Sequence, residues 1–382
     1  MTAPLLEPIN AALATVNDPE IRRPITELGM VRDVDIATDG SVGVTVLLTV
    51  SGCPMKDTIT RDVTAAVQKV DGVSGVRVNL DVMTTEQRQD LQKTLRGGQV
   101  AKEIPFAQPD SLTKVLAIAS GKGGVGKSSV TVNLALEMAR TGRKVGILDA
   151  DIYGHSIPVM MGVADARPTQ VEEMIMPVPA LGLSVISIGM LKPRREQVVA
   201  WRGPMLDRAL VQMLTDVYWG DLDVLLLDLP PGTGDMAMSL GQHLPNSEVV
   251  VVTTPQAAAA EVAERAGTMA SMMHQRVAGV VENMSYLVCP HCGPSHHIDV
   301  FGTGGGDRVA ATLSSRFGYD VPVLGRVPLD VRLREGGDSG RPLVLDHPEA
   351  PAAQALTDVA EALTSKGRGL AGLQLGLSPA GR

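Results

Sequence analysis

The stretch "VLAIASGKGGVGKSSVTVNLAL", Val115 to Leu136, restricts the possible fold more than any other part of this sequence. A short apolar run leads straight into Gly121-x-x-x-x-Gly126-Lys127-Ser128, after which an apolar helical pattern begins. Strand, glycine loop and helix in that order make a phosphate-binding loop. Its glycines let the backbone N–H groups of Gly121, Lys122, Gly123, Gly124, Val125, Gly126, Lys127, Ser128 and Ser129 curl around phosphate oxygens, and the helix N-terminus adds its positive dipole. Lys127 is expected to reach the β- and γ-phosphates of ATP, and the Ser128 hydroxyl to ligate Mg²⁺. The competing reading is a ligand-free glycine turn, against which the flanking strand and helix argue.

From Lys114 onward strands alternate with helices. "VLAIAS", "KVGILDA", "LSVISI", "VLLLDLP", "EVVVVTT", "RVAGVVEN" and "PVLGRVP" are nearly continuous apolar runs separated by helical stretches. Strands of that kind are buried on both faces, so the expected fold is α/β, a mostly parallel sheet with helices on both faces. A small α+β domain precedes it. Leu6, Ile9, Leu13 and Val16 recur at helical spacing, "MVRDVDI" alternates like a half-buried strand, and a second helix carries Ile59, Val63, Val67 and Val70. The expected division is 1–95 for the small domain, 96–111 for a linker, 112–366 for the nucleotide-binding domain and 367–382 for a loose tail.

Composition excludes several classes of function. A net charge of −8 and 2% aromatic residues leave neither the basic face nor the stacking platforms of a nucleic-acid binder. The longest apolar runs are strand-sized, so no membrane partner is expected. The first residues, "MTAPLLEPINAALATVNDPE", lack the pattern of a secretory signal, and three cysteines make no disulfide framework. A reducing cytoplasm is the expected location.

Two further features belong to the nucleotide site. "VLLLDLPPGTGD" puts Asp228 at the end of a buried strand, where a carboxylate would hold magnesium through water. "VGILDADIYG" puts Asp149 and Asp151 at another strand end, with turn or cap acids as the alternative. Lys122, directly after the first glycine, makes the loop similar to the deviant Walker motif of the ParA, MinD and nitrogenase-iron-protein superfamily. That resemblance implies that Lys122 reaches a partner subunit's nucleotide and that Asp151 orients the attacking water.

Two of the three cysteines stand in "LVCPHCGPSHH", Leu287 to His297. Cys289-Pro290-His291-Cys292 is flanked by residues that disfavour the helix start of a thioredoxin-like redox pair. Zinc is one reading, with His296 and His297 as further ligands, although adjacent histidines point apart in an extended segment. An iron–sulfur cluster is the other; it usually takes four thiolates, and a two-fold homodimer supplies the missing pair.

"ASGKGGVGKSS", "LLLDLPPGTGD", "GVVENMSYLVCPHCG" and "LGRVPLD" together resemble the Mrp/ApbC group of iron–sulfur cluster carrier ATPases. "DPE" and "TVSGCPM" resemble the metal–sulfur cluster assembly domain often fused in front of bacterial members. The resemblance implies a homodimer with a bridging [4Fe–4S] cluster on Cys289 and Cys292, passed to apo iron–sulfur proteins and coupled to slow ATP hydrolysis. It also implies cluster assembly factors as partners and an adenine contact for Asn283, a residue that reads equally as a plain strand end. Cys53 is a candidate for cluster handling or a buried cysteine between strand and helix. His155 and the run Gly304 to Gly306 are weaker candidates. A ParA- or MinD-like positioning ATPase and a zinc-stabilised ATPase scaffold are the alternatives.

Overall fold

A computed structural model of the chain describes residues 6–49, 55–95, 103–192 and 203–365. Cys53, the start of the expected linker and the expected tail lie outside the described residues. The chain divides into two compact units.

The smaller unit contains α1 (Leu6–Leu13), β1 (Val31–Ile36), β2 (Ser41–Leu48), α2 (Lys56–Val67), β3 (Gly75–Val82) and α3 (Thr85–Leu95). β1 and β2 are antiparallel and β2 and β3 parallel, so β2 is central, and its side chains from Val44 to Leu48 are all buried. Ile9 and Leu13 of α1 and Ile59, Val63 and Val67 of α2 share the same core, as their 3–4-residue spacing requires. "DPE" forms a turn in which Asp18 Oδ1 accepts the N–H groups of Glu20 at 2.9 Å and Ile21 at 2.8 Å. Burial raises the Asp18 pKa against the pull of those two bonds.

This unit also takes in residues 167–179 and 216–220, which the sequence division assigned to the nucleotide-binding half. Gln170–Val171 and Met174–Ile175 pair antiparallel, and Val171, Met174 and Met176 join the small unit's core. Thr169 Oγ1 donates to Glu20 Oε2 at 2.8 Å, and Arg88 Nε pairs with Glu172 Oε1 at 3.0 Å. Strands of two residues have no readable period, so only the shared burial reveals where this segment belongs.

The larger unit is built on β4 (Lys114–Ser120), α4 (Lys127–Arg140), β5 (Val145–Asp149), β6 (Val178–Ala180, which enters this unit at Ala180), β7 (Leu183–Ser187), α5 (Gly203–Thr215), β8 (Val224–Asp228), α6 (Asp235–His243), β9 (Glu248–Thr253), α7 (Ala257–Met272) and β10 (Arg276–Asn283). After these come β11 (Leu287–Cys289), β12 (Gly293–Ile298), α8 (Gly305–Phe317) and β13 (Val323–Val327). The main sheet runs β13-β10-β9-β4-β8-β5-β7-β6, and every pairing from β13 to β7 is parallel. This is the parallel α/β sheet that the continuous apolar runs call for. β5 and β8 are buried at every residue, and α4 buries all its residues from Val130 to Met138. The carboxyl ends of β4, β5, β8, β9 and β10 therefore present their loops at one edge, where open α/β sheets bind ligands.

Met174→Ala should remove core volume from the small unit alone and cost about 2–4 kcal/mol there. Hydrogen exchange is the check: protection should fall among amides of β1–β3 and α1–α2 while β4, β8 and β9 keep theirs. Equal loss in the large sheet would place Met174 in the other core.

Candidate functional site

The phosphate loop keeps its shape because two of its glycines leave room that no side chain can take. Gly126 caps α4 with φ 79°, and a Cβ there would lie 2.2 Å from Asn283 Nδ2. A Cβ on Gly121 would meet the α7 backbone at Val262 at 2.3 Å. The loop thus lies against α7 on one side and the end of β10 on the other. With Asp151, Tyr153, Gly154, Ser156, Met160 and Pro231, loop residues Lys122 to Ser129 line an open pocket of ≈ 420 Å³.

At the floor of this site Asp228, fully buried, collects three donors from the first turns of α4. Its Oδ2 accepts Lys127 Nζ at 2.6 Å and Ser128 Oγ at 2.6 Å, and its Oδ1 accepts Thr131 Oγ1 at 2.7 Å. The structure brings Lys127, Ser128 and Asp228 together, and adds Thr131. Asp151 stands on the opposite side, with Oδ2 4.0 Å from Lys127 Nζ. Its Oδ1 accepts the N–H groups of Tyr153 at 3.1 Å and Gly154 at 2.9 Å, which fixes the carboxylate.

Asp149 and Asp151, adjacent in motif, occupy different environments. Asp149 is fully buried in the sheet, level with Asp228 in the β5–β8 register. It accepts Ser187 Oγ at 3.0 Å and the Asp151 N–H at 3.2 Å. Burial, and then the nearby Asp228 charge, push its pKa up to about 8. Both causes favour its protonated form.

Lys122 donates from Nζ to Gln256 Oε1 at 2.9 Å, a partner that sequence reasoning missed because it lies in the β9–α7 loop. Asn283 sits beneath the loop, only 1% exposed, and donates from Nδ2 to Val125 O at 2.9 Å. Its Oδ1 is buried without a hydrogen-bond partner among the described residues. The glycine run starts α8: Gly306 donates its N–H to the buried Glu282 Oε2 at 2.6 Å, and a Cβ on Gly305 would lie 2.6 Å from Thr254 O. His155 packs on Gly189, with Nε2 3.2 Å from Lys192 Nζ.

The cysteine pair occupies the tip of a hairpin, β11 against β12, where the sequence reading expected a loop. Cys289 pairs with Gly293, whose φ of 82° closes the turn through Pro290, His291 and Cys292. The Cys292 N–H points at Cys289 Sγ at 3.4 Å. This backbone donor, with that of His291 behind it, lowers the Cys289 pKa and favours the thiolate, the form that binds metal. His297 pairs with Val288 in the hairpin and stacks on Tyr286 with ring centroids 3.8 Å apart, and His296 precedes it on the same strand. Among the described residues no three His, Cys, Asp or Glu side chains converge to hold a metal ion, so the four-ligand zinc set of one chain is not assembled.

Comparison with known proteins agrees with both halves of the chain. The profile of the NUBPL iron-transfer P-loop NTPases matches residues 111–364, and that of an iron–sulfur cluster assembly protein matches residues 6–80. An iron–sulfur cluster carrier protein of Mycobacterium tuberculosis is 59% identical over 374 residues, 98% of this chain and 97% of the relative. The protein of that name from Synechocystis is 42% identical, covering 93% and 95% of the two chains. A nucleotide-binding protein from Archaeoglobus fulgidus, solved in complex with ADP, is 37% identical with a TM-score of 0.53 and covers 64% of this chain and 93% of its own.

The buried carboxyl pair makes stability depend on pH in the metal- and nucleotide-free protein. Between the unfolded value of 3.8 and the folded value of about 8, the folded chain holds an Asp149 proton that the unfolded chain has released. Stability from this group therefore falls as pH rises through that window. Asp149→Asn should raise the melting temperature relative to the unsubstituted protein by at least about 2 °C more at pH 9 than at pH 5, with a chelator present. The same difference at both pH values would mean that Asp149 is already ionised.

Proposed function

Since the chain belongs to the NUBPL family of iron-transfer P-loop NTPases, we propose that it is a homodimeric iron–sulfur cluster carrier with slow ATPase activity. Its cargo is a [4Fe–4S] cluster held by Cys289 and Cys292 of two subunits and passed to apo iron–sulfur proteins, with cluster assembly factors as further partners. The observation that carries this reading is the hairpin itself. It offers two thiols, one of them biased toward thiolate, and no third ligand from the same chain among the described residues. Four thiolates then require two copies, and a two-fold axis through the tip supplies them. Cytoplasmic location is part of the proposal; among the described residues no helix is long and apolar enough to cross a membrane.

The nucleotide pocket fits ATP and magnesium by its donor set. Backbone N–H groups of Gly121 to Ser129 take the phosphate oxygens, and Gly126 leaves the close approach open. Lys127, which donates to Asp228 Oδ2 at 2.6 Å, exchanges that partner for the triphosphate. Ser128 and Asp228 are the residues that would hold Mg²⁺, which neutralises charge on the phosphate oxygens when bound. Asp151, its Oδ1 anchored by two backbone donors, presents Oδ2 to orient the attacking water. Lys122 of the partner subunit stabilises the charge that develops on the transferred phosphoryl group. Asn283, whose Oδ1 has no donor among the described residues, is the residue we assign to the adenine base.

Anaerobic reconstitution with iron and sulfide tests the cargo. One [4Fe–4S] cluster per two chains is expected by absorbance and metal analysis, with loss of both in Cys289→Ala and Cys292→Ala. Variants that load normally, or one zinc per chain without sulfide, would refute the assignment. At the nucleotide site Lys127→Ala should lower ATP turnover about 100-fold or more. Lys122→Ala should lose hydrolysis while keeping nucleotide binding; normal turnover in that variant would remove the role in trans.

A further inference from the structure

The lysine assigned to a partner's nucleotide is already engaged within its own chain. Gln256 Oε1 accepts Lys122 Nζ at 2.9 Å and also Thr254 Oγ1 at 3.3 Å. Both donors want the amide oxygen, which fixes the orientation of the amide. Gln256 is the N-cap residue of α7, yet its side chain makes no capping bond, so helix termination does not account for its position.

The acceptor is held from behind. Gly305 packs so closely on the 254–255 backbone that its Cβ would lie 2.6 Å from Thr254 O, and Arg308 Nη2 donates to Pro255 O at 3.1 Å. Lys122 is held from the other side, because Gly121 touches the α7 backbone at Val262 and Ala263. Donor and acceptor are thus both mounted on α7.

We propose that Gln256 is a positioning residue that parks Lys122 in cis, and that breaking this bond is a step of nucleotide-dependent dimer formation. The proposal rests on the reading of Lys122 as a trans-acting residue. The chemistry of the acceptor suits a reversible latch. A neutral amide binds an ammonium less strongly than a carboxylate does, so the oxyanions of a partner's triphosphate displace it. A carboxylate at position 256 would form an ion pair and compete with them. The latch therefore sets the protein concentration at which hydrolysis switches on.

The test measures ATP turnover per chain against protein concentration, with sedimentation of the full-length protein in ATP, for the unsubstituted chain, Gln256→Ala, Gln256→Glu and Lys122→Ala. Gln256→Ala should reach half-maximal turnover at a protein concentration at least about 3-fold lower, and Gln256→Glu at one at least about 10-fold higher. A purely structural role would move both variants in the same direction. Should the alanine variant fail to fold, Gln256→Met keeps the length without the acceptor and carries the same expectation. Shifts of one sign, or none, while Lys122→Ala is deficient, overturn the latch and leave the trans-acting lysine standing. Normal turnover in Lys122→Ala removes the trans-acting lysine, and the latch with it.

Discussion

The nucleotide pocket depends on one buried carboxylate. Asp228 receives Lys127, Ser128 and Thr131, so a single strand end fixes the first turns of α4 and the mouth of the phosphate loop. The β5–β8 register places Asp149 beside it. Two dry carboxyl groups at one level cannot both ionise cheaply. Lys127 hydrogen-bonds Asp228 directly and acts on Asp149 only through its charge, so burial and the Asp228 charge prevail at Asp149 and raise its pKa. A slip of one residue in the β4–β8–β5 register would turn Asp228 to the opposite face and dismantle the site. The three donors gathered on Asp228 are a contact that such a slip would lose.

The cysteine hairpin is tied to the same loop through the backbone that follows β10. Asn283 holds Val125 O, Met284 takes the left-handed conformation at φ 54°, and Ser285 donates its N–H to Val327 O at 2.9 Å. Leu329 then donates its N–H to Tyr286 O at 2.7 Å, and the Tyr286 ring lies on His297. Asn283, Ser285 and Tyr286, on the path from the phosphate loop to the hairpin, are therefore each held by a hydrogen bond. Such continuity is a physical precondition for coupling between a nucleotide and a cargo site, since coupling needs contacts whose energy depends on the state of both.

Much of this was legible in the sequence wherever one physical cause dominates. Double-sided burial writes continuous apolar runs, so β4, β5, β7, β8, β9, β10 and β13 could be placed, and loop chemistry marked Lys127, Ser128 and Asp228. What escaped depends on distant pairing. Gln256 is separated from Lys122 by 134 positions and stands in an unremarkable loop. The hairpin 287–298 mixes Pro, His and Gly, so it lacks the alternation that would announce strands. Asp149 and Asp151 look equivalent in the motif; the fold buries one in the sheet and turns the other toward the pocket.

The small unit shows why contiguity along the chain is a poor guide to what folds together. Its core is completed by Val171, Met174 and Met176, whose positions in the sequence fall among the strands of the larger unit. Glu20, in the turn that begins with a buried aspartate, accepts its hydrogen bond from Thr169 rather than from a neighbour in sequence. Cutting the chain after residue 102 would remove part of this unit's own apolar cover and leave the 9% exposed Glu20 carboxylate without that donor. The unit is therefore an element of the whole chain's folding, and a fragment that matches the assembly-protein profile alone would lack part of its core.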